Sequence, residues 1–375
     1  MASPSASDQA KQGLSWMEWL QGWSRVIYEL FFQRIEARHL KTPLPLPPLN
    51  DLTCIVTGST SGIGLEIARQ LAESGANVVM AVRNPTAAHS LIQTWQNETS
   101  SKDSLNIDVM ELNLPSLESV VRFSETWDSL GKPLNVLINN AGIFSMGEPQ
   151  KFSNEGYETH MQVNHLAPAL LSLLLLPSLK RGAPRGIINV NSVIHFVSTV
   201  DPNDMNFVSG KREFSSLAGY STSKLAQVMF SNVLHKRLPS ESDISIICVE
   251  PGCARTKIER DVPKFIREVG YRLFSPVLFN AEEASRSALF AATDPEIPKY
   301  CAQLRCDEWP ACAYISSSCC PMNPSNEARR LDVSSLVWQK TLDMVGLSGD
   351  CLEILLEGKE IQCSLELTLN RNGLY

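Results

Sequence analysis

The sequence predicts an α/β protein: a doubly wound parallel sheet in a single domain, preceded by an N-terminal amphipathic helix. Three observations predict it. Short apolar runs alternate with helical stretches from residue 51 to about residue 345, and such alternation packs helices on both faces of a parallel sheet. The first apolar run enters a glycine-rich turn that opens at once into a helix. The 375 residues are 43% hydrophobic, enough for a large core, and α/β units often exceed the average domain length.

Taken in order, residues 1–13 are small and polar and read as a loose tail. Residues 14–40 read as an amphipathic helix, with Leu20, Trp23, Ile27, Leu30, Phe31 and Ile35 near the helical period. Glu18, Arg25, Glu29, Arg34 and Glu36 interrupt it too often for a membrane span. It is expected to pack on its own domain or a partner, with a peripheral place on a membrane surface as the alternative. Residues 42–50 (TPLPLPPLN) form a stiff proline linker. This divides the chain into 1–50 (tail, helix and linker), 51–347 (the α/β domain) and a tail, 348–375, with no assigned structure. Strands are expected at 52–57, 77–82, 106–112, 134–139, 186–191 and 244–249. Helices are expected at 62–74, 86–97, 116–129, 155–179, 218–238, near 282–292 and near 325–345. The apolar run at 166–179 is too short to span a membrane and reads as a buried or interfacial helix.

Net charge is −7 and the pI about 5.5, which argues against a nucleic-acid partner, since that needs a basic face. The first fifteen residues lack the apolar core of a secretory signal. The ten cysteines are therefore expected as free thiols in a reducing cytoplasm. Five of them lie between Cys301 and Cys320, without paired C-x2-C spacing or a nearby histidine, so no metal site is expected.

The turn Thr57-Gly58-Ser59-Thr60-Ser61-Gly62-Ile63-Gly64 lies between the first strand and its helix. Glycines there let the backbone turn tightly and approach a pyrophosphate. The helix N-terminus then offers free N–H groups to that anion. This is a Rossmann-type cofactor turn. The second strand ends Val82-Arg83-Asn84, with no carboxylate to bind a ribose 2′-hydroxyl. Arg83 can instead grip a 2′-phosphate, so NADP(H) is favoured over NAD(H).

Tyr220 and Lys224 lie four residues apart at the start of a helix and so share a face. A free tyrosine has a pKa of about 10. A nearby ammonium stabilises the phenolate, and lowering that pKa by about 3 corresponds to roughly 4 kcal/mol. Tyr220 can then exchange a proton with a hydroxyl or carbonyl. Asn139-Asn140-Ala141-Gly142 closes the fourth strand, Asn191-Ser192 the fifth, and Pro251-Gly252 with Thr256 follows the sixth. All three segments point at the crevice beyond the carboxyl ends of the strands, where ligands bind in open α/β sheets.

On TGSTSGIG, NNAG and YSTSK in this order, residues 50–345 resemble the short-chain dehydrogenase/reductase family. VNHLAP and CCPMNPSNEA are similar to its retinol dehydrogenase and WW-domain oxidoreductase branch. The resemblance implies interconversion of a small-molecule alcohol and carbonyl. It implies that Ser192 orients the substrate oxygen, Tyr220 gives or takes the proton, and Lys224 binds the nicotinamide ribose. It further implies that Asn164 holds a relay water and that Thr256 touches the nicotinamide. Asn113 stands where an adenine-binding Asp is frequent, Asn191 where Ser is frequent, and Glu250 where an uncharged residue is usual. A buried carboxylate at 250 requires a partner. Residues 301–313 read as an insertion relative to the family. The N-terminal WMEWLQGW segment resembles a plant oxidoreductase associated with shoot development. An alternative reading follows: a regulatory protein that keeps the cofactor site and does little chemistry. The variable stretches 193–218 and 257–280 are expected to wall an apolar substrate pocket.

Overall fold

The computed structural model describes residues 13–98, 105–255, 275–309, 311–359 and 361. Seven strands form one sheet: β1 Thr53–Thr57, β2 Asn77–Val82, β3 Ile107–Glu111, β4 Val136–Asn139, β5 Gly186–Val190, β6 Ser245–Val249 and β7 Ala313–Ile315. Their order is β3-β2-β1-β4-β5-β6-β7 and every pairing is parallel. The chain winds outward from β1 to β3, then crosses back to β4 and winds the other way. The reversal opens a crevice beyond the carboxyl ends of β1 and β4.

Burial on both faces explains the near-continuous apolar character of β1, β2, β4, β5 and β6. Ile55, Leu137 and Ile187 point into one core, while Cys54, Val56 and Ile188 point into the other. The first core is covered by α4 (Leu117–Ser129), α5 (Ala167–Leu174), α6 (Leu176–Arg181), α7 (Ser216–Arg237), α10 (Leu331–Met344) and α11 (Cys351–Leu356). The second is covered by α2 (Gly62–Glu73), α3 (Pro85–Glu98), α8 (Ala281–Thr293) and α9 (Ile297–Cys306).

Two expectations are corrected. The helix expected at 155–179 is broken into a short turn at Thr159–Met161, a π-helical segment Gln162–Leu166, and then α5 and α6. Pro168 has no N–H for the Asn164 carbonyl four residues earlier, and Pro177 opens α6 at the next break. Within the stretch 301–313, Cys301–Cys306 belong to α9 and Ala313 opens β7, the edge strand beside β6. The expected helix near 325–345 is a 3-10 turn, Asn326–Arg329, followed by α10. In the unassigned tail, α11 packs Leu352 and Leu355 on the first core.

The N-terminal helix α1 (Trp16–Glu36) starts with a capping box: Ser15 and Glu18 satisfy each other's backbone N–H. It packs on the turn Val193–Val197, but with the less apolar of its faces. Gly22, Glu29 and Gln33 are buried, while Trp16, Trp19, Leu20, Ile27, Phe31 and Ile35 are exposed. A Cβ on Gly22 would collide with the Phe196 carbonyl. Gln33 Nε2 donates to the Cys253 and Val277 carbonyls at 3.0 and 2.7 Å, and its Oε1 accepts from Cys253 N–H at 2.7 Å. Arg34 forms a forked pair with Glu283. The linker follows the surface, with Leu49 buried and Leu44 and Leu46 packed against the second core. Among the described residues, no helix is long and apolar enough to cross a membrane.

Candidate active site

A cavity of about 930 Å³ occupies the crevice. Its floor is the glycine turn. Gly58 and Gly62 have φ of +67° and +59°, a region that favours glycine. Gly64 has no room for a side chain, because a Cβ would strike the Asn140 amide and the Gly58 carbonyl. Ser61, the N-cap of α2, makes no side-chain cap, and Ser61, Gly62 and Ile63 line the cavity. A helix N-terminus presented this way suits a phosphate.

The ends of β1 and β4 are stitched together beside it. Thr57 Oγ1 accepts from Asn140 N–H and Ala141 N–H, each at 3.0 Å, and Asn140 Nδ2 donates to the Thr57 carbonyl. Asn139 points away from the cavity and donates to Ser172 Oγ and Asn189 Oδ1, which ties β4 to its neighbour β5.

Tyr220, Lys224 and Ser192 all line the cavity. Tyr220 lies within α7, whose N-cap Ser215 accepts from Ala218 N–H. Its ring stacks on Phe144 with centroids 4.6 Å apart. Lys224 lies one turn further on, buried, and donates from Nζ to the Val190 carbonyl at 2.8 Å. Burial pushes its pKa down to about 8, against smaller upward pulls from Cys248 and Glu250. The Ser192 hydroxyl oxygen receives only a long contact, 3.4 Å, from Ile194 N–H. Among the described residues its proton is committed to no acceptor, so it can be donated to a ligand oxygen.

Of the other expected residues, Thr57, Gly58, Asn140, Ala141, Gly142, Pro251 and Gly252 line the cavity, and the exposed Arg83 lies at its rim. Ser59 is fully buried, and Gly64, Asn113 and Asn164 are not in the wall. Thr256 and most of 257–280 lie outside the described residues. Asn164 spends its whole amide on scaffolding. Its Oδ1 accepts from Ile143 N–H, and its Nδ2 donates to the Ile143 carbonyl and Ser223 Oγ. Thr60, within the glycine turn, also lines the cavity; sequence reasoning missed Phe144 and Val163 in the wall, and also Val26, which brings α1 to the cavity. Phe144 is one residue past the asparagine loop, and no spacing distinguishes it from core. Asn191, read as a minor departure, bridges β5 to α7. It donates to the Lys224 carbonyl and Gln227 Oε1 and accepts from Ser192 N–H.

A switch-point crevice with a glycine turn, a buried lysine and a tyrosine in its wall defines a nucleotide-dependent oxidoreductase site on a doubly wound sheet. A family model for short chain dehydrogenases matches residues 52–201. The chain is 58% identical to the dehydrogenase/reductase SDR family member FEY of Arabidopsis thaliana over 96% of each chain. It is 32% identical to the polyprenol dehydrogenase of Mus musculus, covering 82% of this chain and 88% of that one. Retinol dehydrogenase 12 of the same species is 31% identical, covering 79% and 87%. A solved structure of an uncharacterized Mycobacterium paratuberculosis protein superposes with a TM-score of 0.62 at 27% identity, covering 81% of this chain and 97% of that one. The chain therefore belongs to the short-chain dehydrogenase/reductase family, whose fold binds a nicotinamide cofactor and whose members are oxidoreductases.

Proposed function

We propose that this chain interconverts a lipophilic alcohol and its carbonyl with NADP(H), using Tyr220 as acid and base, at the surface of a membrane facing the cytoplasm. The observation that carries the chemistry is the convergence of Tyr220, Lys224 and Ser192 on the cavity floored by the glycine turn. The cofactor, when bound, supplies or accepts the hydride. In reduction Tyr220 gives its phenolic proton to the carbonyl oxygen, and in oxidation it takes the proton back. Ser192 donates to the same oxygen and holds it in place. Lys224 in its ammonium form favours the phenolate left on Tyr220. With the Asn164 amide fully engaged, its part in a proton relay falls to its backbone carbonyl, which Pro168 cannot bond.

Arg83 at the rim supports a 2′-phosphate and hence NADP(H). The lipophilic substrate is supported by relatives named for polyprenol and retinol. It is also supported by α1, whose exposed aromatic face adjoins Val26 in the cavity wall. Trp and Tyr favour the water–lipid boundary.

The test is NADPH oxidation with decanal, retinal and small polar carbonyls. Turnover of the lipophilic aldehydes, lost in Tyr220→Phe, is expected. If both forms bind NADPH and neither turns over any carbonyl, the enzyme reading fails and a regulatory role replaces it. Flotation with phosphatidylcholine liposomes tests the membrane component. Binding is expected for the full chain and should be lost when Trp16, Trp19 and Phe31 are changed to Ser.

A further inference from the structure

We propose that Glu250 and His195 form a buried clamp on the peptide between Ser192 and Val193, and that Glu250 is the positioning residue for the Ser192 hydroxyl. That peptide has two polar atoms, and a buried side chain holds each. Val193 N–H donates to Glu250 Oε1. The Ser192 carbonyl accepts from His195 Nδ1 at 2.7 Å. Glu250 is 1% exposed and His195 is fully buried. Tyr314 on β7 closes the clamp: its hydroxyl lies 3.2 Å from Glu250 Oε2 and 3.4 Å from His195 Nδ1.

The proton positions are consistent with these roles. Burial pushes His195 down to about 4, which keeps the imidazole neutral near neutrality. With Nδ1–H donating to the Ser192 carbonyl, Nε2 is free to accept from Ser325 N–H at 3.1 Å. Burial, with the Glu29 carboxyl adding to it, pushes Glu250 up to about 8. The groups that act on the clamp are Tyr314 and Cys248 from the sheet, Lys224 from α7, and Glu29 and Arg25 from α1. Glu29 is itself held by Ser317 Oγ and Arg25. The polar face of α1 thus reaches within electrostatic range of the residue that seats Ser192.

Rotating one peptide would swing the serine hydroxyl away from a ligand oxygen, and a 1 Å misplacement can cost about 100-fold. The activity arm of the test rests on the proposed reaction, and the exchange arm does not. Glu250→Met fills the volume without an acceptor, whereas Glu250→Gln keeps an acceptor without a charge. Amide hydrogen exchange of residues 192–198 should accelerate at least tenfold in Glu250→Met and stay as in the parent in Glu250→Gln. In the same proteins, kcat for decanal should fall by about 10- to 100-fold in Glu250→Met and recover in Glu250→Gln, with the NADPH Kd unchanged. Unchanged exchange in Glu250→Met, or equal exchange in the two variants, overturns the clamp. Should the parent turn over no carbonyl, the exchange result alone decides the clamp, and only the proposed reaction is lost.

Discussion

Tyr220 and Lys224 are separable by what each does to a pH profile. Replacing Tyr220 with Phe removes the transferable proton and leaves the ring stacked on Phe144. A fall in kcat of about 10²- to 10⁴-fold is expected, with NADPH binding retained in fluorescence titration. Lys224 acts through its charge and loses its proton near pH 8, so kcat should decline as pH rises through 8. Stability carries the opposite pair of signs. Glu250 is raised from 4.5 to about 8. Its contribution is fully present below 4.5 and lost as pH climbs through 8. Lys224 is lowered from 10.5 to about 8. Its contribution is present above 10.5 and lost as pH falls through 8. The two together depress stability most near pH 8. Thermal melts of Glu250→Gln should lose the decline between pH 5 and 8, ending more stable than the parent at pH 8. A variant that keeps the parent's slope would show that Glu250 does not titrate with folding. Arg83 is tested by cofactor preference: Arg83→Asp should raise the NADPH KM at least tenfold while sparing NADH.

At the scale of elements, the segments with a regular period were legible and those set by tertiary context were not. Six of the seven strands are readable from sequence: five because a strand buried on both faces is apolar along its length, and the edge strand β3 because its sequence, IDVME, alternates apolar and polar residues. β7 has only three residues and lies within a stretch that looks irregular by composition. The break at 162–168 was missed although Pro168 was visible, because the leucine-rich run that follows it reads as one continuous buried helix. The site was legible where chemistry demands a residue type, as at Gly58, Tyr220 and Lys224. It was not legible where a common residue becomes important through its contacts, as with Asn191 and Phe144. The partners of Glu250 are a backbone N–H and a tyrosine 64 positions away, and no local pattern connects them. The seating of α1 yields a prediction of its own. Gly22→Val would push the helix off the Phe196 carbonyl. Melting should fall by several degrees, since an overpacked contact costs about 1–3 kcal/mol. Limited proteolysis should then cut near the proline linker.

At the scale of the whole molecule, the two-sided sheet and the crevice at its reversal follow from the alternating sequence. How α1 is seated does not. A period of about 3.6 shows that a helix has an apolar face, and it says nothing of which way that face turns. Here the hydrogen bonds of Gln33 and the ion pair of Arg34 orient the helix, and the apolar face is left outside.

That arrangement reverses a familiar correlation. Trimming an exposed apolar helix usually improves a protein's behaviour in every respect. Removing residues 1–40 here would strip away greasy surface and keep the protein dispersed at high concentration. It would also leave Cys253 N–H and the Cys253 and Val277 carbonyls without their Gln33 partner, and Ser317 without Glu29. Solubility and melting temperature should therefore move in opposite directions on truncation. A shortened chain prepared for ease of handling would be the less robust of the two.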